Sequence, residues 1–352
     1  MQFTILTKNL KEALNYAKSI IPNNPTQIAY TGFYLEVDNG KVNLHASDGN
    51  SSLKISLGEG NEDGSILLPL KPIYTYVSTL EDNTNLTLSK LSNGDLSVKA
   101  SGKPYLFRSI IASFPVVSHT KSNHISDLTS LANAIDIVET SAPKDTNAAQ
   151  LIVKNNEVSL YATDQFRLVK TKFSSSNLDD FEAIVNLKSF EAGVKFNPNY
   201  LKLEESSNTI VISDSLHSLT TRTLGIPFPP VEAIIEGTPQ ESIEIPTEEL
   251  KLAIKRLSSI SEASPLGFLF EGSVLTLFVD NPEVGTGEEY VNVENPHATE
   301  LKFYLRLAYL NDAIYFSKSD KISLSASSDS SPIYLKYHEP LETIHVIMPV
   351  KK

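Results

Sequence analysis

Three segments of one kind recur along the chain, each an alternating apolar strand that runs into an acidic or amide turn: VNLHASD ending at Asp48, VSLYATD ending at Asp164 and LTLFVDN ending at Asn281. By subtraction the turns lie 116 and 117 residues apart, which divides the 352 residues nearly into thirds. Self-similarity at a fixed long period marks a repeated unit and argues against one large irregular fold. The expected domains are 1–118, 119–240 and 241–352, each long enough for its own core.

Each third opens on an amphipathic helix pattern. Leu10, Ala13, Leu14, Ala17 and Ile21 share one face, as do Leu128, Leu131, Ala132, Ile135 and Val138, and then Leu250, Ala253, Ile254, Leu257 and Ile260. Thr7, Ser126 and Thr247 are the expected N-caps. Strands with period-2 alternation follow, such as Phe33, Leu35 and Val37, with Asn39-Gly40 as a type I′ hairpin turn and Asn155-Asn156 and Glu271-Gly272 in the corresponding places. A second helix is expected near Leu70-Lys71, Leu187-Lys188 and Leu305-Arg306, and further strands close each unit. Two helices over about eight short strands, three times, is an α+β class built on largely antiparallel sheet. Proline-bearing stretches near 113–123 and 225–242 read as connectors between the units.

Net charge is −12, and Lys plus Arg against Asp plus Glu runs 10 to 10, 10 to 15 and 10 to 17 across the three thirds. Tight, sequence-independent DNA binding needs clustered cations, so that balance leaves only local, weak phosphate contact. The absence of cysteine excludes disulfides and thiolate chemistry. The amino terminus lacks the basic and apolar regions of an export signal and no stretch reads as a membrane span, so the expected location is cytoplasmic. The seven histidines, at 45, 119, 124, 217, 297, 338 and 345, show no metal-ligand spacing. Neither GEGNEDG nor VGTGEE has the phosphate-loop pattern, so no cofactor or nucleotide is expected. Asp48 and Asp164 read as strand-ending turn residues, not as a catalytic carboxylate pair. No catalytic constellation emerges, and no metal site.

On that frame, ATDQFRL at 162–168, NPEVGTGEE at 281–289, Tyr309-Leu310 with Asp312-Ala313, and HVIMPVKK at 345–352 together resemble the bacterial-type DNA polymerase III beta subunit family, the sliding clamps, over the whole length. The resemblance implies a ring-forming clamp fold: a head-to-tail homodimer of six domains around double-stranded DNA, gripping no bases and holding a polymerase at high effective concentration near the primer end. It implies no catalysis by this subunit, and no membrane. The helices would face the hole, with Lys8, Lys11, Lys18, Lys71, Lys188, Lys251, Lys255 and Arg306 toward DNA as a mildly basic wall. The third helix pattern dissents, with Thr129, Asn133, Asp136 and Thr140 on its polar face.

The resemblance also implies an apolar pocket for short peptides of the polymerase alpha subunit, the clamp-loader delta subunit and other clamp-binding proteins. Thr163, Arg167 and Leu168 would form one wall and Val346, Met348, Pro349 and Val350 the other. Gln165 and Phe166 depart from the family's Gly-His, Glu236 stands where proline is common, Asn24 where an arginine often meets DNA, and the tail ends Lys351-Lys352. The competing expectation is an open, monomeric scaffold of three similar protein-binding domains.

Overall fold

The computed structural model describes residues 1–117, 126–261, 264–294 and 301–351. The expected boundary at 118–119, His119, His124, His297 and Lys352 lie outside the described residues.

The elements follow the repeat. The first third holds β1 (Gln2–Leu6), α1 (Thr7–Ile20), β2 (Gly32–Asp38), β3 (Lys41–Ser47), β4 (Ser51–Glu59), β5 (Gly64–Pro69), α2 (Leu70–Ser78), β6 (Asn85–Lys90), β7 (Leu96–Lys99) and β8 (Tyr105–Phe107). The second holds α3 (Leu131–Glu139), β9 (Ala148–Lys154), β10 (Glu157–Thr163), β11 (Arg167–Ser174), β12 (Phe181–Asn186), α4 (Leu187–Val194), β13 (Tyr200–Glu204), β14 (Thr209–Ser213), β15 (His217–Arg222) and the short α5 (Glu232–Glu236). The third holds β16 (Ile243–Pro246), α6 (Thr247–Ser261), β17 (Leu266–Glu271), β18 (Val274–Asn281), β19 (Gly285–Asn292), β20 (Leu301–Leu305), α7 (Leu307–Tyr315), β21 (Lys321–Ser325), β22 (Ile333–Tyr337) and β23 (Glu342–Ile347). The α+β class is as expected.

The chain condenses into two compact units that cut across the repeat: 1–129 with 176–178 and 188–223, and 130–175 with 179–187 and 224–352. In the first unit, a four-stranded sheet β1-β6-β7-β8 accompanies a seven-stranded sheet β13-β14-β15-β4-β3-β2-β5. In the second, an eight-stranded sheet β12-β9-β10-β11-β23-β22-β21-β16 accompanies a four-stranded sheet β19-β18-β17-β20. Two antiparallel seams therefore fuse neighbouring repeats. β4 pairs β15 with Ser51 opposite Thr221, and β11 pairs β23 with Thr171 opposite Thr343. At each seam the facing hydroxyls bond to each other in a buried setting, at 3.0 Å for Ser51 and Thr221 and 2.9 Å for Thr171 and Thr343, so the polar groups are satisfied without water.

The helix faces follow the periodicity. Leu10, Ala13, Leu14 and Ala17 of α1 and Leu250, Ala253, Ile254 and Leu257 of α6 are all buried. Ile20, not Ile21, ends the buried stripe of α1, because Ile21 is already the extended residue after the helix. The expected N-caps need correction. In α1 the preceding β-strand runs straight into the helix, Leu6 is the boundary residue, and Thr7 sits inside, donating its hydroxyl to the Thr84 carbonyl at 3.0 Å. Thr247 likewise opens α6 from inside it, and its buried hydroxyl finds no partner among the described residues.

Ser126 lies before the third helix altogether and donates to the Asn177 carbonyl. That helix starts at Leu131 because Asp127 folds an Asx turn first, accepting from the Thr129 amide and hydroxyl. Thr129 and Leu128 thus precede the helix, Ala132 is only half-buried, and Ala134 and Ile137 complete the buried face.

The Asn39-Gly40 hairpin holds, with φ of 49° and 73°, as does Asn155-Asn156 with 52° and 62°. The third hairpin is shifted by one residue: Glu271 pairs Val274, so Gly272-Ser273 makes the turn.

Candidate functional site

The turn between β10 and β11 is built by one side chain. Asp164 Oδ1 accepts the amides of Phe166 and Arg167, both at 3.1 Å, while the Thr163 hydroxyl donates to the Arg167 carbonyl at 2.7 Å. Asp48 does the same for the amides of Asn50 and Ser51, and Asn281 for those of Glu283 and Val284. A fourth copy that the periodicity missed is Asp214, which holds the amides of Leu216 and His217. These acids are turn builders, as expected. The geometry forces Gln165 to φ 76° and leaves Phe166 53% exposed.

The predicted pocket walls are neighbours across the β11–β23 seam. Arg167 faces Ile347 and Leu168 faces Val346. Beyond the ladder, the Met348 amide donates to the Phe166 carbonyl at 2.9 Å and the Val350 amide to the Tyr304 carbonyl at 2.9 Å, so the tail continues along the turn. Leu168 and Val346, each 4% exposed, are closed into an apolar floor with Tyr161, Val231, Tyr334 and Ile344, against which Phe228 and Ile235 pack. The open apolar surface is Phe166 and the 42%-exposed Met348, with Pro349 and Val350 half-buried. Sequence reading missed Tyr161, Val231 and Tyr334. Tyr161 was legible as the alternate residue before Thr163, but Tyr334 and Val231 join through pairings that local pattern does not encode.

Arg167 organises the charge here. Its Nε donates to Asp164 Oδ2 at 3.0 Å and its Nη1 to Asp312 Oδ2 at 2.5 Å, and its guanidinium lies 4.4 Å from the Tyr309 ring centroid. Behind it, on the other face of β23, His345 is fully buried; burial and then the Arg167 charge push its pKa down to about 3. His345 is therefore neutral, and its Nε2 shares a 3.3 Å hydrogen bond with the Tyr337 hydroxyl.

Two of the predicted DNA-facing lysines are structurally engaged in matching ways. Lys11 on α1 donates to the Leu80 carbonyl just past α2 at 2.6 Å and to Asp82 at 2.7 Å. Lys251, at the equivalent place on α6, donates to the Ser317 carbonyl just past α7 at 2.7 Å. Each ammonium holds the paired helices of its repeat together at a helix C-terminus, where positive charge is favoured. Lys18 lies 4.6 Å over the Tyr74 ring, and Lys8, Lys71, Lys188 and Lys255 are exposed. Arg306 is placed apart from these lysines. It is the boundary residue of α7, its guanidinium 5.6 Å from the Phe166 centroid and 5.5 Å from that of Tyr309. Among the described residues, no group of three or more His, Asp or Glu side chains could hold a metal.

The family model of the DNA polymerase III beta subunit N-terminal domain matches residues 1–114, and that of its C-terminal domain matches residues 234–351. The chain belongs to the DNA polymerase III beta subunit family. Curated relatives include the beta sliding clamps of Streptococcus pneumoniae strain R6, 25% identical over 94% of each chain, and of Rickettsia bellii, 24% identical over all of both. Solved beta subunits share the fold: that of Streptococcus pyogenes superposes with a TM-score of 0.89 at 20% identity over all of both chains. That of Thermotoga maritima gives 0.88 at 20% identity over 100% of this chain and 99% of the other. As a beta subunit the chain is a DNA sliding clamp, a processivity factor and not an enzyme. No helix among the described residues is long and apolar enough to cross a membrane.

Proposed function

We propose that this clamp acts in the cytoplasm as a head-to-tail homodimer closed around duplex DNA, made of three domains per chain at 1–118, 119–240 and 241–352. The observation that carries the closure is a pair of open sheet edges with opposite charge. β8 ends its sheet with Tyr105 and Leu106 57% and 62% exposed, flanked by exposed Lys103 and Arg108. β19 ends another with Tyr290 67% exposed beside exposed Glu283 and Glu288. An unpaired apolar edge is a template for another strand, and the charges select β19 of a second copy over a second β8.

The exposed cations Lys8, Lys18, Lys71, Lys188 and Lys255 are assigned to the DNA-facing side. Few and dispersed, they suit sliding, since a dense basic wall would bind phosphate tightly. Lys11 and Lys251 serve there through helix pairing. The cleft around Thr163, Arg167, Leu168, Val346, Met348, Pro349 and Val350 takes short apolar peptides of the polymerase alpha subunit, the clamp-loader delta subunit and other partners.

Two measurements test this. Sedimentation should give a dimer for the natural chain and a monomer for Leu106→Asp. Loaded clamp should stay on nicked circular DNA and be lost once that DNA is cut; equal retention on both forms, or a natural chain that is monomeric at all concentrations, refutes the ring.

A further inference from the structure

We propose that Arg306 makes the docking cleft selective for peptides carrying an acidic side chain beside their apolar anchors. The inference rests on the docking reading above. A cleft of about 410 Å³ is lined by the apolar atoms of Pro265, Leu307, Ala308 and Val350, and by two cations, Arg306 and Lys351, with no carboxylate in its lining. Arg306 is held in place by the Phe166 and Tyr309 rings, and its Nη1 contacts the Tyr309 hydroxyl at 3.4 Å. It makes no ion pair among the described residues. The nearby acids are already used: Arg167 engages both Asp164 and Asp312.

The result is asymmetric. Two guanidinium groups flank one tyrosine; Arg167 is neutralised by two carboxylates and Arg306 by none. An apolar segment lying over Phe166 and Met348 displaces water from the Arg306 guanidinium. Such desolvation is unfavourable unless a hydrogen-bonding anion replaces the water. A carboxylate can take two parallel N–H bonds from a guanidinium fixed in this way, whereas an amide of the same shape offers one neutral acceptor and a lysine repels it. The occupant is therefore a linear apolar peptide with an internal Asp or Glu.

The test is fluorescence anisotropy on the full chain with N-terminally labelled, C-terminally amidated pentapeptides containing Leu and Phe. One position at a time is Asp, Asn or Lys. At one position Asp should bind about 5- to 10-fold tighter than Asn, a charge-assisted preference that shrinks with added salt. Arg306→Gln should bring the Asp peptide down to the Asn peptide's affinity, while Arg306→Lys keeps part of the preference; unchanged melting of both variants shows that neither loss comes from unfolding. Equal binding of Asp and Asn at every position overturns the proposal, as does a preference that survives in Arg306→Gln. A carboxylate effect seen only with the free, unamidated C-terminus also overturns it. Failure of every peptide to bind removes the docking reading itself, which is a different result from binding without charge preference.

Discussion

Arg167 lies with its guanidinium 4.4 Å from the centroid of Tyr309, tying the first residue of β11 to the first turn of α7. The arginine is 11% exposed, so the two carboxylates it meets are bonded to a largely desolvated charge. Replacing it with alanine removes the stacking and leaves Asp164 and Asp312 facing each other's field. Arg167→Ala should cost about 2 kcal/mol of unfolding free energy in urea titrations, whereas Asp312→Asn, at a partner 43% exposed, should cost less than about 1 kcal/mol. Equal costs would contradict the assignment of Arg167 as the organising charge.

Gln165 adopts φ 76°, a conformation that disfavours side chains with a Cβ, because its turn is dictated by Asp164. Glycine removes that penalty at the expense of a more flexible unfolded chain. The balance predicts that Gln165→Gly raises stability by roughly 0.5–1 kcal/mol, and that Gln165→Val lowers it by more than that.

The two matching lysine tethers separate fold from DNA contact. Lys11→Met and Lys251→Met should each lower stability by about 1 kcal/mol, since each strands a carbonyl at a helix end. Lys18→Met and Lys255→Met should leave the melting temperature within a degree or so and shorten retention on circular DNA at low salt. Thermal melts and retention assays on all four variants decide whether the roles divide in this way.

His345 gives the acid response a sign. Its folded pKa of about 3 lies below the ordinary 6.5, so between those values the unfolded chain takes up a proton that the folded chain refuses. Stability is thus intact above about pH 6.5 and falls as the pH drops toward 3. His345→Gln should shrink the loss between pH 7 and pH 5 by roughly 2 kcal/mol, read from urea titrations at the two pH values. A variant with the same pH dependence as the natural chain would show that the burial of His345 carries no such coupling.

What the sequence disclosed was local. The strand-ending acids Asp48 and Asp164 and the amide Asn281, the α1 and α6 faces and the Asn39-Gly40 hairpin all obey short-range rules, and the structure has them in place. Caps were misplaced because Thr7 and Thr247 open helices entered directly from strands, so the usual capping residue is absorbed into the first turn. The walls of the cleft were legible only through family resemblance. What brings them together is pairing between residues 172 apart, as for Thr171 and Thr343, and no periodicity within either strand announces its partner. Arg306 shows the same limit: a cation near the start of the second helix looked like Lys71 and Lys188, but Leu307 begins that helix one residue later and turns the guanidinium toward Phe166.

The Ser51–Thr221 and Thr171–Thr343 joints mean that the three copies cannot be handled as interchangeable cassettes. Excising the middle third would strip cover from two interior strands at once and leave raw hydrogen-bonding borders, so such a fragment should clump unless its neighbours are supplied. Inheritance by triplication thus ended in a chain whose parts have lost their independence.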